Sequence, residues 1–395
     1  MDFVVFSDDW GEHPSSCQHL FRQIAREHRV LWVNTVGMRT LKFTTPDLRK
    51  AARKVRRMIT GAGRAATSQS GGMPQHLAVL QPPMLPLPAS RAARAFNDWS
   101  AGRAVRAALA RLGMQRPVVV TTAPNACDIV GQLGASVIVY YCVDDFAQWP
   151  GIDHQAVGDM ERRLVEQADV LLATSEILLE ALKGSGKPAF LFDHGVDLET
   201  FGAPPGPEHS KLAGMSRPRA GFFGLIDERL DEHLLAEVAN LLPDWTFVLA
   251  GPQVATLPLL ASVPNIVRVG SLPYAELPSF VDGVDVLMLP YKVNAFTQTI
   301  SPLKLNEYLA TGRPVVSAPL RETLRHERLI RLAVGPTEWR DALNAATQHD
   351  RHARRAQVAS FLASRSWRAK AASFVELLAA YRAECSGNTG KERLS

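Results

Sequence analysis

Thr297-Gln298-Thr299-Ile300-Ser301-Pro302-Leu303-Lys304-Leu305-Asn306-Glu307-Tyr308-Leu309-Ala310-Thr311-Gly312-Arg313-Pro314-Val315-Val316-Ser317 reads as loop, helix, glycine stop and buried strand. Ser301 is a good N-cap residue, and Pro302 suits the first helical position, where its missing N–H costs nothing and its fixed φ is already helical. Gly312 supplies the stop, and Pro-Val-Val-Ser is a short β-branched run of the kind found in buried parallel strands. The stretch predicts a helix that begins at Ser301, with its N-terminus at the mouth of an α/β sheet.

Such an end presents N–H groups without helical partners and a partial positive charge, so an anion with several oxygens binds there readily. Leu303 belongs to this first turn, and Lys304 adds a full charge beside it. Glu307, one turn further in, is placed to accept from two ribose hydroxyls, as acidic residues do in nucleotide-binding folds. A diphosphate and a ribose together make a nucleotide. The same residues also suit an ordinary helix-to-strand connection.

The segment from Ser301 to Ser317 resembles the signature of the C-terminal domain of GT-B-fold glycosyltransferases, of the retaining family-4 or glycosyltransferase group 1 type. That resemblance implies two Rossmann-like, doubly wound parallel-sheet α/β domains facing a central cleft, with the donor on the second domain and the acceptor on the first. In the family two glutamates lie eight residues apart. The second, which holds the ribose, matches Glu307, and the first, which touches the donor sugar, falls on Thr299. The resemblance further implies a nucleotide diphosphate sugar as donor substrate, no cofactor and no metal.

Length and composition fit this picture. The chain has 395 residues, 46% apolar and 21% charged, which suits two soluble globular domains. No apolar stretch is long enough to span a bilayer, and Met1–Ser7 lacks the basic leader of a signal peptide, so the expected location is the cytoplasm. Cys17, Cys127, Cys142 and Cys385 are scattered without CxxC spacing and are expected to be small buried apolar residues. Net charge is +5. Six of the cations, Arg49, Lys50, Arg53, Lys54, Arg56 and Arg57, fall within 47–59, interleaved with Leu48, Val55, Met58 and Ile59. On a helix this is a basic ribbon beside a narrow apolar one, suited to peripheral contact with an anionic membrane at its inner face; a solvated helix or loop is the other reading.

In chain order, Asp2–Ser7 is a strand, followed by a Gly-containing loop and a Ser-capped helix to about Glu27. In the resembled enzymes this first loop meets the acceptor, which would put His13 or Asp9 near the chemistry. Val30–Val33, His76–Leu80, Pro117–Thr122 and Ser136–Cys142 read as further strands, and Gln81–Pro88 is excluded from helix or central strand by its prolines. Asp144 and Asp145 follow the fourth of these at a strand tip, where ligands bind in open α/β sheets. They either orient an acceptor hydroxyl or cap a helix over Asp159–Ala168, and they lack the D-x-D spacing of metal-dependent glycosyltransferases. Asp193-His194-Gly195-Val196-Asp197 resembles the loop that closes the first domain in the family.

The expected domains are 1–202, a linker at 203–217, and 218–365, with a terminal helix at 366–385 returning to the first domain. In the second domain Arg219–Gly224 is strand one. Gly224 lets backbone approach a phosphate, and Arg229 is the candidate cation to neutralise it. Ser271 and Leu272 match the place where the resembled enzymes hold the base through backbone groups.

These readings converge on transfer of a sugar from a nucleotide diphosphate sugar to a glycan or lipid-linked acceptor, as in polysaccharide biosynthesis, with Lys304 and Arg229 stabilising the leaving diphosphate. The alternative is a catalytically degenerate homologue that binds a nucleotide sugar or partner protein without turnover. A nucleotide-dependent oxidoreductase is disfavoured because the first βα turn lacks G-x-G-x-x-G, and nucleic acid because the basic stretch lacks aromatics.

Overall fold

A computed structural model of the chain describes residues 1–11, 15–35, 66–67, 73–85, 90–149, 151–348 and 350–391, with only the backbone of 66–67 and 386–391. His13 and the basic stretch at 47–59 lie outside the described residues. The chain divides into two compact units, one of Met1–Asp193 with Trp367–Ser395 and the other of His194–Ser366.

The first unit is built on eight strands: β1 (Asp2–Ser7), β2 (Arg29–Asn34), β3 (Ala66–Thr67), β4 (Leu77–Leu80), β5 (Val118–Thr121), β6 (Val137–Cys142), β7 (Val170–Ala173) and β8 (Ala189–Leu191). Their order is β3-β4-β2-β1-β5-β6-β7-β8, and only β3 runs antiparallel to its neighbour. The central strands are unbroken runs of buried Val, Leu, Ile and Tyr, as a sheet covered on both faces requires.

The second unit has six strands: β9 (Arg219–Phe223), β10 (Thr246–Ala250), β11 (Ile266–Gly270), β12 (Val286–Leu289), β13 (Val315–Ser317) and β14 (Arg331–Leu332). All pairs are parallel in the order β11-β10-β9-β12-β13-β14. Counted from β9 this is the doubly wound order 3-2-1-4-5-6, whose direction reverses between strands one and four, here β9 and β12. The short β14 was not anticipated; at two residues it carries no periodicity to read.

The terminal helix, Trp367–Lys391, packs on the first unit. Phe374 is fully buried there among Phe3, Phe21 and Phe192, with ring centroids 5.6–6.3 Å apart, and Trp367 stacks on His19 at 5.3 Å. The division falls after Asp193, ahead of the expected boundary at 202. The reason is local: His194 Nε2 donates to Ser301 O at 2.9 Å and Asn306 Nδ2 donates to His194 O at 2.8 Å, which ties this loop to the second unit. The expected linker is likewise held there, since Arg219 binds Glu208 at 2.8 Å and His209 meets Glu276 at 2.9 Å. Three cysteines are buried as expected, but Cys385 is exposed on the terminal helix. Among the described residues no helix is long and apolar enough to cross a membrane.

Candidate functional site

In the second unit the ends of β9 and β10 are backbone without side chains. Gly224 and Gly251 both adopt φ +144°, a conformation open to glycine and strained for other residues. A Cβ on Gly251 would fall 1.8 Å from the carbonyl oxygen of Gly224, and one on Gly224 would fall 1.7 Å from Lys304 Cε. The lysine stem therefore lies across the bare peptide at the tip of the first strand. Gly224 N donates to Ala250 O at 2.8 Å and Gly251 N to Gly270 O at 2.9 Å, which locks the three strand tips together.

Lys304 comes from the Leu303–Ala310 helix. This helix starts one residue later than the sequence predicts: Pro302, not Ser301, is its N-cap, and no side chain caps it. Ser301 is displaced from the capping role because it belongs to the preceding turn, where its carbonyl receives His194 Nε2. The amides of Leu303 and Lys304 open the helix and by its geometry have no intrahelical acceptor. Thr297–Thr299, expected as loop, closes a short helix at Ala295–Thr299. Asn294 accepts from Thr297 N at 2.9 Å while Thr297 Oγ1 accepts from Asn294 N at 3.0 Å. Thr299 Oγ1 donates to Phe296 O at 2.8 Å.

Glu307, one turn into the helix, is 5% exposed. Tyr274 OH donates to its Oε1 at 3.2 Å. Burial pushes the carboxyl up to about 7, against the pull of Lys304 and the Tyr274 hydroxyl, with Asp197 adding to the rise. The phenol of Tyr274 is also raised, by burial first and then by Glu307. Tyr308 fixes the other side of the helix: its hydroxyl receives Phe223 N at 3.1 Å, immediately before Gly224. One eight-residue helix thus places a cation, a buried carboxyl and open amides against the tip of β9.

Residues 217–349 match the family model described as Glycosyl transferases group 1. This part of the chain is therefore similar to group 1 glycosyl transferase domains. The chain is 30% identical over 183 residues to the putative teichuronic acid biosynthesis glycosyltransferase TuaH of Bacillus subtilis, an alignment that covers 44% of this chain and 46% of that protein. The match thus spans about half the length of that relative. Two solved structures are similar over nearly the whole chain. Sucrose-phosphate synthase from Thermosynechococcus elongatus has a TM-score of 0.69 at 15% identity, covering 97% of this chain and 99% of its own. Anabaena HepE, solved with UDP and glucose, has a TM-score of 0.64 at 12% identity, covering 96% of this chain and 100% of its own. The fold is GT-B, with two Rossmann-like parallel-sheet domains.

The other candidates are placed as follows. Arg229 is coupled to Asp227: its Nε donates to both carboxylate oxygens at 2.9 Å, and its guanidinium lies over the Tyr291 ring at 5.7 Å. Ser271 is exposed and Leu272 half-buried, directly after β11, whose Gly270 carbonyl receives Gly251 N. In the first unit Asp144 and Asp145 follow β6. Asp144 Oδ1 accepts from Asp145 N at 2.9 Å, and burial raises the Asp145 carboxyl. Neither caps the helix that follows. That helix runs His154–Gln167, and Asp153 caps it by accepting from Ala156 N at 3.0 Å, so the capping alternative is overturned.

The sequence reading did not single out Gly251 or Tyr308, and it placed Tyr274 only within the Ser271–Tyr274 stretch matched to base binding. Gly251 ends a strand exactly as Gly224 does in sequence, and that repeat was the available signal; the Tyr274–Glu307 and Tyr308–Phe223 pairings join residues far apart in the chain and leave no local mark.

Proposed function

We propose that this protein transfers a sugar from a nucleotide diphosphate sugar to a lipid-linked or polysaccharide acceptor, without a metal and with retention of anomeric configuration. One observation carries the reading: Lys304 lies across Gly224 at the opening of a helix whose next turn buries Glu307. A diphosphate set against that opening meets the amides of Leu303 and Lys304 and the Lys304 ammonium, so positive charge faces the oxygens that gain electrons on departure. Glu307 accepts from the ribose hydroxyls. Such donors favour the ionised carboxylate, so nucleotide affinity rises with pH through about 7. In transfer, the bond from the sugar's anomeric carbon to the diphosphate breaks with its electron pair going to the phosphate oxygen. The acceptor oxygen bonds to that carbon, and its proton passes to the departing phosphate. Asp144, Asp145 and His13 are assigned to the acceptor side.

TuaH, named for teichuronic acid biosynthesis, supports a polysaccharide acceptor, and HepE, solved with UDP and glucose, supports a nucleotide sugar donor. The test is a panel of nucleotide diphosphate sugars read by thermal shift and by donor hydrolysis. A donor that raises the melting temperature and is hydrolysed supports transfer. Thr299, where the family carries an acid, favours a second reading of binding without turnover, and a thermal shift with no hydrolysis or transfer would select it. No shift with any donor would end both.

A further inference from the structure

The Arg91–Leu112 helix of the first unit is fixed at both ends, by Ser90 accepting from Ala93 N and by Gly113 in the left-handed conformation. One face, with Ala101, Val105, Ala108 and Leu109, enters the core. The opposite face is unusual for a soluble surface. Trp99 is 63% and Phe96 39% exposed, their ring centroids 6.1 Å apart. The remaining residues this helix exposes are arginines and alanines, Arg103 and Arg106 among them, and none is acidic. Asp98 is half-buried off this face and accepts from Gln132 Nε2 at 2.8 Å. Leu85, 43% exposed, is tied to the same helix by Asn97, which receives its N–H and donates to its carbonyl.

We propose that this face docks on an anionic lipid bilayer. The paired rings provide an apolar wedge for the boundary between headgroups and acyl chains, where Trp is favoured, and Arg103 and Arg106, which have no carboxylate partner among the described residues, meet lipid phosphates. A convex helix face with rings side by side suits a plane of lipid better than single-stranded nucleic acid, which is bound by stacking in a charged groove. The surface is separate in sequence from 47–59, and the inference does not rest on the reading of the reaction.

The test is cosedimentation of the full chain with vesicles of phosphatidylcholine containing about one-third phosphatidylglycerol, for wild type, F96S/W99S and R103E/R106E. Each double substitution is expected to lower partitioning about tenfold or more, and pure phosphatidylcholine or high salt to weaken wild-type binding. Unchanged melting temperatures establish that the variants fold, as these side chains are solvent-facing. Three results would overturn the proposal: wild type that ignores the anionic vesicles, variants that bind as wild type does, or a change of oligomeric state in F96S/W99S, which would make the face an interface between copies of this chain.

Discussion

Both sheets reverse direction beside their first strand, yet the tips of those first strands are furnished in opposite ways. In the second unit the tips of β9 and β10 are Gly224 and Gly251, bare backbone with Lys304 laid over it. In the first unit the tip of β1 carries Ser7 and Asp8, and Ser7 bonds both Asp8 and Thr122, which follows the adjacent β5. Ser7 Oγ and Thr122 Oγ1 are 2.7 Å apart, and the Asp8 carboxylate receives Ser7 Oγ at 2.8 Å, Ser15 Oγ at 2.9 Å and Gln18 Nε2. One tip has no side chains of its own; the other is filled by side chains that satisfy one another.

The sharpest way to break this contrast is to give the second unit a side chain at its tip. Gly251→Ala drives a Cβ against the Gly224 carbonyl in a strained backbone, so a loss of roughly 4 kcal/mol or more is expected by denaturant unfolding. Lys304→Ala is the next largest: turnover should fall about 100-fold or more, while unfolding midpoints move little because the ammonium is not a core group. Unaltered turnover would remove its role.

Glu307→Gln tests the buried carboxyl. A folded pKa of about 7 lies above the ordinary 4.5, so this group favours folding most below that range, and its contribution is lost as pH rises through about 7. The neutral amide is expected to raise stability at pH above 7 by up to about 3 kcal/mol, to flatten the dependence of melting temperature on pH, and to abolish the donor-induced shift. Asp8→Asn, in the self-satisfied tip, is the smallest: a cost of about 1 kcal/mol with the donor-induced shift intact. A lost shift would mean that the two tips are not independent in the way the contrast holds.

Much of this was legible along the chain. Buried β-branched runs gave the positions of the principal strands, and Ser-Pro followed by Lys and Glu three residues apart located the 303–310 helix and the two candidate groups it carries. The errors are long-range. The start of that helix and the domain boundary both moved because His194 binds Ser301 across 107 positions, a pairing that no local propensity encodes. The helix at Ala295–Thr299 was readable in principle from Asn294 and Thr297, but its five residues are too few to show a period. Tyr274 reaches Glu307 from a different loop, so its hydroxyl became relevant only once the sheet was assembled.

The chain enters and leaves the second unit side by side, with Val196 N bonded to Arg365 O at 2.8 Å and Val196 bridged to Ser366. Residues 194–366 are thus a cassette, spliced into the host chain through adjacent ends. A short peptide between such ends is enough to close the segment on itself.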